Sequence, residues 1–423
     1  MDYRESLDYL YGLQRFGIKL GLDNIRQILS RLQHPEKHYP VVHVAGSNGK
    51  GSVCAGLAAI LRQAGRRAGL YSSPHLHSFT ERIQIDGQPI SEEEAVELIA
   101  TVREASEGIP VTFFEFTTAM ALLQFQRCQV ELAILEVGMG GRLDATNAVT
   151  PQVTVVTPVC LDHAEHLGAD LAAIAAEKAG IIKSRVPLIL GQQQPDALQV
   201  LSERAEELQS PIYRYGRDFS ARTDGNGFDY QGLELSLKGL HSGLPGGHQH
   251  HNMSLSLAVA EVLRGHGFDL PEAALRNGVA AVRWPGRIEW WQEEEKVLLD
   301  GAHNEGGAAV LASYLKSISA TGIRWVVGAK ATKDIAQILR PLLPLVNSLY
   351  CTVPPVEEAV PAEHIARLAT DAGVPARSFD CPESALAAAE ADLQPGEIVL
   401  VAGSLFLVAA ARDYLRHQEG AKR

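Results

Sequence analysis

A chain of 423 residues exceeds what one ordinary hydrophobic core organises, so two domains, or at most three, are expected. Hydrophobic residues make up 46% and charged residues 21%, the balance of a soluble globular chain rather than a disordered or membrane-embedded one. A net charge of −12 argues against the basic surface that nucleic-acid binding requires, but it leaves room for nucleotides, which need only a local cluster of donors.

The N-terminal residues lack a basic region followed by an apolar core, and no apolar run approaches the roughly 18 residues of a membrane span. Cys54, Cys128, Cys160, Cys351 and Cys381 are odd in number and form no C-x-x-C pair, which suits reduced thiols rather than a disulfide or zinc framework. The expectation is a cytoplasmic protein with no nucleic-acid or membrane partner.

Residues 2 to 33 carry two helix-like patterns joined by an aromatic-rich stretch, Tyr11 to Ile18. Short, apolar, unalternating runs follow at Pro40–Ala45, Ala68–Ser72, Leu132–Val137, Val153–Thr157 and Leu188–Leu190, the pattern of parallel strands buried on both faces. Between them the spacing predicts helices near Glu92–Ser106, Thr117–Arg127, Leu171–Ala179 and Ala197–Leu208. Ile212 to Leu237 changes to Gly, Asp, Asn and alternating residues, which predicts a small antiparallel patch, and a helix is expected from about Asn252 to Gly265. Beyond the rigid turn Arg283-Trp-Pro-Gly-Arg287 the β/α alternation restarts, at Val297–Asp300, a helix from Glu305, Trp325–Val327, Ile335–Leu339, Ser348–Thr352, Ile398–Val401 and a last helix near Phe406–Arg416. The predicted fold is α/β. Residues 1–290 form a P-loop-type, mostly parallel sheet with flanking helices, and residues 291–423 a second, smaller Rossmann-like domain, with a cleft between the two.

The segment His43-Val-Ala-Gly46-Ser47-Asn48-Gly49-Lys50-Gly51-Ser52 lies between an apolar run and a helix-like stretch. Glycines there let backbone N–H groups approach an anion, and a helix beginning at that point adds its positive end. Lys50 can reach the outer phosphates of a nucleotide and Ser52 offers a hydroxyl near a metal. The spacing departs from the standard phosphate loop, which has four residues between its glycines and a hydroxyl directly after lysine. The competing reading is a glycine-rich surface turn.

Glu136 ends an apolar strand-like run, the position at which carboxylates face the ligand crevice of parallel sheets, and Mg²⁺ prefers such oxygen donors. Asp162-His163 follows Val153–Val159 in the same relative place; His163 reads either as a structural histidine or as a ligand. His166 completes an H-x-x-H without a third nitrogen or sulfur ligand nearby, so zinc is not expected. His250 and His251 are adjacent, hence on different faces of a helix, and read as surface or core residues. Lys178 sits at a helix end, where a cation complements the dipole. Beside a metal it would need to be neutralised or converted to an anion. Ser73 ends another strand, Asp300-Gly-Ala-His303-Asn304 lies at a strand-to-helix turn, and Arg287 is placed to bring a guanidinium onto phosphate.

Taken in order, Gly46-Ser-Asn-Gly-Lys-Gly-Ser, Ser-Ser-Pro-His75, Glu81-Arg82-Ile, Gly140-Gly-Arg-Leu-Asp144-Ala-Thr-Asn147, Leu-Asp-His163, Glu-Lys178-Ala-Gly, Pro-Gly-Arg287 and Asp300-Gly-Ala-His-Asn304 strongly resemble the folylpolyglutamate synthase and dihydrofolate synthase family of the Mur ligase superfamily, from about residue 2 to residue 415. The resemblance implies ATP-dependent ligation of L-glutamate to dihydropteroate, to reduced folates or to both through an acyl phosphate. It implies ATP and two Mg²⁺ ions, with a monovalent cation as an open requirement, and a monomer acting on small molecules. By position, Ser73, Glu136 and His163 resemble the metal ligands, and Lys178 matches the family's carbamylated lysine. Asn252, Arg287, Asp300 and His303 resemble residues that hold the nucleotide; Lys50, Lys178, His163 and Arg287 become the catalytic set. Arg82, Phe114, Glu115 and Asp144 fall where the family handles the pterin, and Ser404 where it handles glutamate. Ser47 departs from the commoner threonine but keeps the hydroxyl. The alternatives are a UDP-muramyl amino-acid ligase of the same superfamily, which would carry a further UDP-binding domain first, and a nucleotide switch that forms no bond.

Overall fold

The short apolar runs of the first half become strands because each is sequestered on both faces, with no polar side to turn toward water. The computed structural model describes residues 2–16, 21–162, 167–168, 170–225, 227–291 and 296–422. The chain divides into two units, one of Met1–Cys160, Ala164–Gly243 and Gln249–Arg283, the other of Leu161–His163, Leu244–His248 and Trp284–Arg423.

In the first unit β1 (Val41–Ala45), β2 (Ala68–Tyr71), β3 (Ile83–Ile85), β4 (Gln88–Pro89), β5 (Leu132–Glu136), β6 (Val153–Val156), β7 (Leu188–Leu190) and β8 (Ile212–Arg214) form one sheet in the order β4-β3-β2-β5-β1-β6-β7-β8. From β2 to β8 the strands are parallel, and β3 and β4 extend one edge antiparallel. Every residue of β1, β2, β5, β6 and β7 is buried. Helices Tyr3–Gly12, Asp23–Arg31, Glu92–Ala105 and Phe113–Arg127 contribute to one core with Tyr71, Ala133 and Leu135. Leu171–Ala179 and Pro195–Glu207 contribute to a second with Ala45, Val156, Leu188 and Leu190. The helix Lys50–Gln63 packs so closely on Glu272–Ala281 that a Cβ at Gly278 would stand 2.5 Å from the Cα of Ile60.

Three details differ from the sequence reading. The helix expected near Thr117 starts at Phe113, because Thr112 and Glu115 close a capping box: the hydroxyl accepts the Glu115 N–H and the carboxylate accepts the Thr112 N–H. The helix expected from Asn252 runs Gly247–Gly265, and burial around nearly its whole circumference erases the amphipathic period that would mark its start. The segment 212–237 is not one patch. β8 joins the large sheet in parallel with β7, and β9 (Ser220–Asp224), β10 (Gly227–Gln231) and β11 (Ser236–Leu240) make a separate antiparallel sheet.

The second unit is built on β12 (Glu289–Trp291), β13 (Val297–Asp300), β14 (Gly322–Val327), β15 (Ser348–Cys351), β16 (Ala376–Ser378) and β17 (Glu397–Ala402), in the order β12-β13-β17-β14-β15-β16. β12 is antiparallel to β13 and the others are parallel. Trp325 is fully buried at the centre, with its indole N–H donating to the Ala402 carbonyl at 3.2 Å. The apolar run at Ile335 belongs to a helix, Ile335–Leu342. The mixed α/β class read from the sequence is the observed one. Among the described residues no helix is long and apolar enough to cross a membrane.

One buried carboxylate fastens the three-stranded sheet to its helix. Glu261 accepts the Tyr230 hydroxyl at 2.6 Å and the N–H groups of Leu233, Glu234 and Leu235 at 3.0, 2.8 and 2.8 Å. Glu261→Ala strands all four donors, so its thermal unfolding midpoint should fall, by an amount corresponding to about 2 to 4 kcal/mol. Differential scanning calorimetry checks this, and an unchanged midpoint would mean that water replaces the carboxylate without loss.

Candidate active site

β1 delivers the chain to residues 46–49 at its C-terminal end, and the helix Lys50–Gln63 starts directly after them. Two glycines make the passage sterically feasible. Gly46 has φ 143°, and a Cβ there would lie 1.8 Å from Thr157 Oγ1; Gly49 has φ 91°, and its Cβ would lie 2.6 Å from Asn252 Oδ1. The Ser47 and Asn48 N–H groups reach the Pro158 carbonyl at 3.0 and 3.4 Å, and Ser47 Oγ bridges the Cys160 backbone, donating to its carbonyl at 3.0 Å and accepting its N–H at 3.1 Å. Gly49 caps the helix with no side-chain acceptor on the first-turn N–H groups. Gly51 and Ser52 in that turn are buried. Such an end is an anion cradle.

Two lysines converge on one carbonyl. Lys50 Nζ donates to Gly46 O at 3.1 Å and Ser47 O at 3.2 Å, and Lys178 Nζ donates to the same Gly46 O at 3.0 Å. Lys178 is 4% exposed, at the end of helix Leu171–Ala179. Two ammonium groups this close repel unless an anion lies between them or one loses its charge.

Glu136 ends β5, level with Val44 of β1, and accepts the Ser73 N–H at 3.3 Å. Its carboxylate is buried beside the loop, an oxygen donor suited to Mg²⁺. His163 lies outside the described residues, and among those described no three His, Cys, Asp or Glu side chains gather as a metal cluster. The donors at hand fit a hard cation held by few protein ligands.

On the other side of β5, Phe114 packs its ring where a Gly138 Cβ would come within 2.4 Å. Arg82 is buried, donates through Nε to His75 Nδ1 at 2.8 Å and lies 5.1 Å over the Phe113 ring, which stacks on Tyr11. Burial pulls the Arg82 guanidinium below its ordinary value, against the pull of Tyr71, Tyr11, Glu136 and Glu81. Asp144 caps the turn Ala145–Ala148, taking the N–H groups of Met139 and Thr146 at 2.9 and 3.0 Å; burial raises its carboxyl, offset in part by those donors. Glu115 has a local structural task as well. Its Oε2 accepts both the N–H and the hydroxyl of Thr112 at 2.8 Å, so that oxygen starts its helix.

The second unit gathers its own cluster. Asp300 ends β13 and accepts the N–H groups of Ile288 and Ala302, each at 2.9 Å. Burial pushes its carboxyl up while nearby Arg287 pulls it down. Gly301 leaves the space that Arg287 fills, since a Cβ there would stand 2.2 Å from its Nη1. His303 Nδ1 donates to the Gly301 carbonyl at 2.8 Å. Asn304 caps the helix Glu305–Leu315 through Oδ1 and donates from Nδ2 to Asp162 at 3.0 Å, while Lys333 Nζ pairs with the other oxygen of Asp162 at 2.5 Å. Ser404 is buried and accepts the Phe406 N–H at the start of the last helix.

Residues 44–260 match the model of the Mur ligase middle domain, and residues 286–405 that of the Mur ligase glutamate ligase domain. The dihydrofolate synthase/folylpolyglutamate synthase of Bacillus subtilis is 34% identical over 430 residues, covering 98% of this chain and 99% of that protein. The chain belongs to this family. Among solved structures, Escherichia coli FolC in complex with DHPP and ADP matches with a TM-score of 0.91 and 34% identity over 98% of each chain. The bifunctional folylpolyglutamate synthase/dihydrofolate synthase of Yersinia pestis, complexed with AMPPNP and Mn ion, matches with 0.90 and 35% identity over 98% of each. Folylpolyglutamate and dihydrofolate synthases are ATP-dependent ligases, as the sequence motifs implied.

Two features of this folylpolyglutamate synthase relative escaped the sequence reading. In the sequence Asp162 stands only as the neighbour of His163; in the structure it is the acceptor that Asn304 and Lys333 share. Nothing local signals that, because the partners lie 142 and 171 residues away. The sequence marks His43 only as part of the strand leading into the loop, whereas its ring reaches Thr146. His250 and His251 are structural: His250 stacks on Phe228 and meets Thr223 Oγ1, and His251 Nε2 accepts the Gln192 N–H at 3.1 Å.

Burial lowers His43 to about 3 and His75, His251 and His303 to about 4, from an ordinary 6.5. The unfolded chain therefore takes up protons first as pH falls. The stability these neutral rings contribute is full above about 6.5 and is lost progressively toward about 4, while raised Asp144 and Asp300 act in the opposite sense. Unfolding midpoints measured across that range should decline with falling pH, and His251→Gln should flatten the slope. An equally steep slope in the variant would exclude His251 as a contributor.

Proposed function

We propose that this chain joins L-glutamate to the carboxylate of a pterin substrate, either dihydropteroate, a reduced folate polyglutamate or both, with ATP as the energy source. The carboxylate oxygen attacks the γ-phosphorus of ATP and ADP leaves. The resulting acyl phosphate is attacked by the glutamate amine, which loses a proton as phosphate departs and an amide remains. Neither step requires a protein nucleophile, so the chain's work is positioning and charge neutralisation. The observation that carries this reading is the convergence of Lys50 and Lys178 on the Gly46 carbonyl, at the mouth of a strand–loop–helix cradle. Two lysine side chains beside such a cradle suit a polyanionic ligand.

In this reading residues 46–52 hold the triphosphate, and Lys50 stabilises the transferring phosphoryl group. Asn252, Arg287, Asp300 and His303 serve the nucleotide. Arg82, Phe114 and Asp144 serve the pterin, with Glu115 supporting them by starting the helix that carries Phe114. Ser404 serves glutamate. Ser73, Glu136 and His163 would hold Mg²⁺, which would supply charge neutralisation at the phosphates. Lys178 carries a carbamate: a neutral lysine amine adds CO₂, and the product anion removes the repulsion from Lys50. The protein works as a cytoplasmic monomer.

ADP release with Mg-ATP and L-glutamate, compared between dihydropteroate and tetrahydrofolate as acceptors, tests the reading. Turnover with both acceptors establishes two activities, and turnover with one names it. Silence with both, together with activity on a UDP-muramyl acceptor, moves the chain to the cell-wall branch of the superfamily. Lys178→Ala should be nearly inactive and partly rescued by short carboxylic acids that restore the missing anion; wild-type turnover in the variant would rule the carbamate out.

A further inference from the structure

His43 is fully buried in the middle of β1, on the strand that feeds the phosphate loop, and the chemistry above does not use it. Its Nε2 lies 2.8 Å from Thr146 Oγ1, and Thr146 Oγ1 lies 2.5 Å from Asp144 Oδ1. A hydroxyl has one hydrogen to give. An ionised carboxylate can only accept, so that hydrogen points at Asp144, and the oxygen of Thr146 must then accept from His43 Nε2–H. This fixes the tautomer: the proton sits on Nε2. Nδ1 is buried with no partner among the described residues, so a second proton there would create an unsatisfied buried N⁺–H. The ring is held neutral by burial and by the nearby Lys183 charge.

The three groups form a chain with one direction, His43 to Thr146 to Asp144. Asp144 Oδ1 accepts both the N–H and the hydroxyl of Thr146, and Oδ2 accepts the Met139 N–H. A carboxylate offers about four lone pairs; with the Gly138 N–H also stabilising this one, at most one position is left, on the Oδ2 side, which carries one of these bonds against two on Oδ1. We propose that His43 is a positioning residue which, through the Thr146 hydroxyl, holds Asp144 as an acceptor-only carboxylate with Oδ2 turned toward a ligand N–H donor such as the pyrimidine edge of a reduced pterin. This rests on the assignment of Asp144 to the pterin. It adds a link from the core of the nucleotide-loop strand to substrate recognition.

The test compares His43→Leu, His43→Gln, Thr146→Val and Asp144→Asn in the full chain, each checked for folding by its thermal midpoint. Breaking the chain of donors that ends on the Asp144 carboxylate, at its first link in His43→Leu or its second in Thr146→Val, should raise the KM for the pterin substrate about tenfold. The KM for ATP should stay unchanged, and His43→Gln, whose amide can still donate, should recover most of the loss. Nitrogen NMR of the His43 ring should show Nε2 protonated and Nδ1 bare. The relay is overturned if the pterin KM does not move in folded His43→Leu and Thr146→Val, or if the ATP KM rises in step with it, the mark of a merely structural strand residue. An Nδ1-protonated ring overturns it as well. If Asp144→Asn also leaves the pterin KM unchanged, the assignment of Asp144 to the pterin fails with it; if Asp144→Asn alone raises that KM, only the relay fails.

Discussion

The first unit depends on a steric constraint at the end of β1. The chain must leave a fully buried strand, turn and begin a helix, all within residues 46–49, and neighbouring side chains crowd it on both sides. Thr157 blocks any Cβ at Gly46, and Asn252 blocks any Cβ at Gly49. These contacts come from β6's end and from the buried helix Gly247–Gly265, so parts of the chain far apart in sequence fix one turn. What results is a helix end without a side-chain cap, with two lysines folded onto the loop's own carbonyls. Its first-turn donors are therefore open to an anionic ligand.

Buried and half-buried carboxylates act as templates for the backbone in this unit. Glu81 accepts three successive N–H groups, from Leu76, His77 and Ser78; burial pushes its carboxyl up, but these donors outweigh burial and leave it below its usual range. Glu115 starts one helix, Asp144 caps one turn, and Glu261 holds a hairpin to its helix. A backbone N–H must find an acceptor when it is removed from water, and a carboxylate can satisfy several at once. In a chain of net charge −12, part of the acidic excess is spent inside, shaping loops that carry no regular structure of their own.

The sequence made the strands legible because double burial leaves a simple mark, an apolar run without alternation. It made the loop legible because glycine and lysine at those positions have few other uses beside a strand end. It obscured the helix start at Phe113, where the aromatic run hides a capping box, and the start at Gly247, where burial all around removes the period. Long-range pairs were invisible in principle: the Asp162–Lys333 and His43–Thr146 contacts join residues with no shared local pattern. Glu115 shows the reverse hazard. A residue placed by resemblance at a substrate position also has a local task, since one of its carboxylate oxygens begins the helix it sits on.

Asp300 raises the same question in the second unit. Its two oxygens each accept a backbone N–H, one from Ala302 and one from Ile288. Ile288 is a buried, β-branched residue at φ 48°, a conformation that costs about 1–3 kcal/mol and persists only where surroundings over-determine it. The surroundings do so here. Asp300 holds the Ile288 N–H, Glu289 holds the Gly286 N–H at 2.7 Å while pairing with buried Arg412, and the Gly301 N–H donates to the Gly286 carbonyl at 2.8 Å. Between these fixed points sits Arg287, with its guanidinium in the space that Gly301 leaves open. A long, flexible side chain gains directional precision when its backbone is pinned on both sides, because the entropy of placing it is lost on folding rather than on binding. Asp300 therefore matters to any ligand of Arg287 even where it touches none of it, and the strain at Ile288 is the cost of aiming that guanidinium.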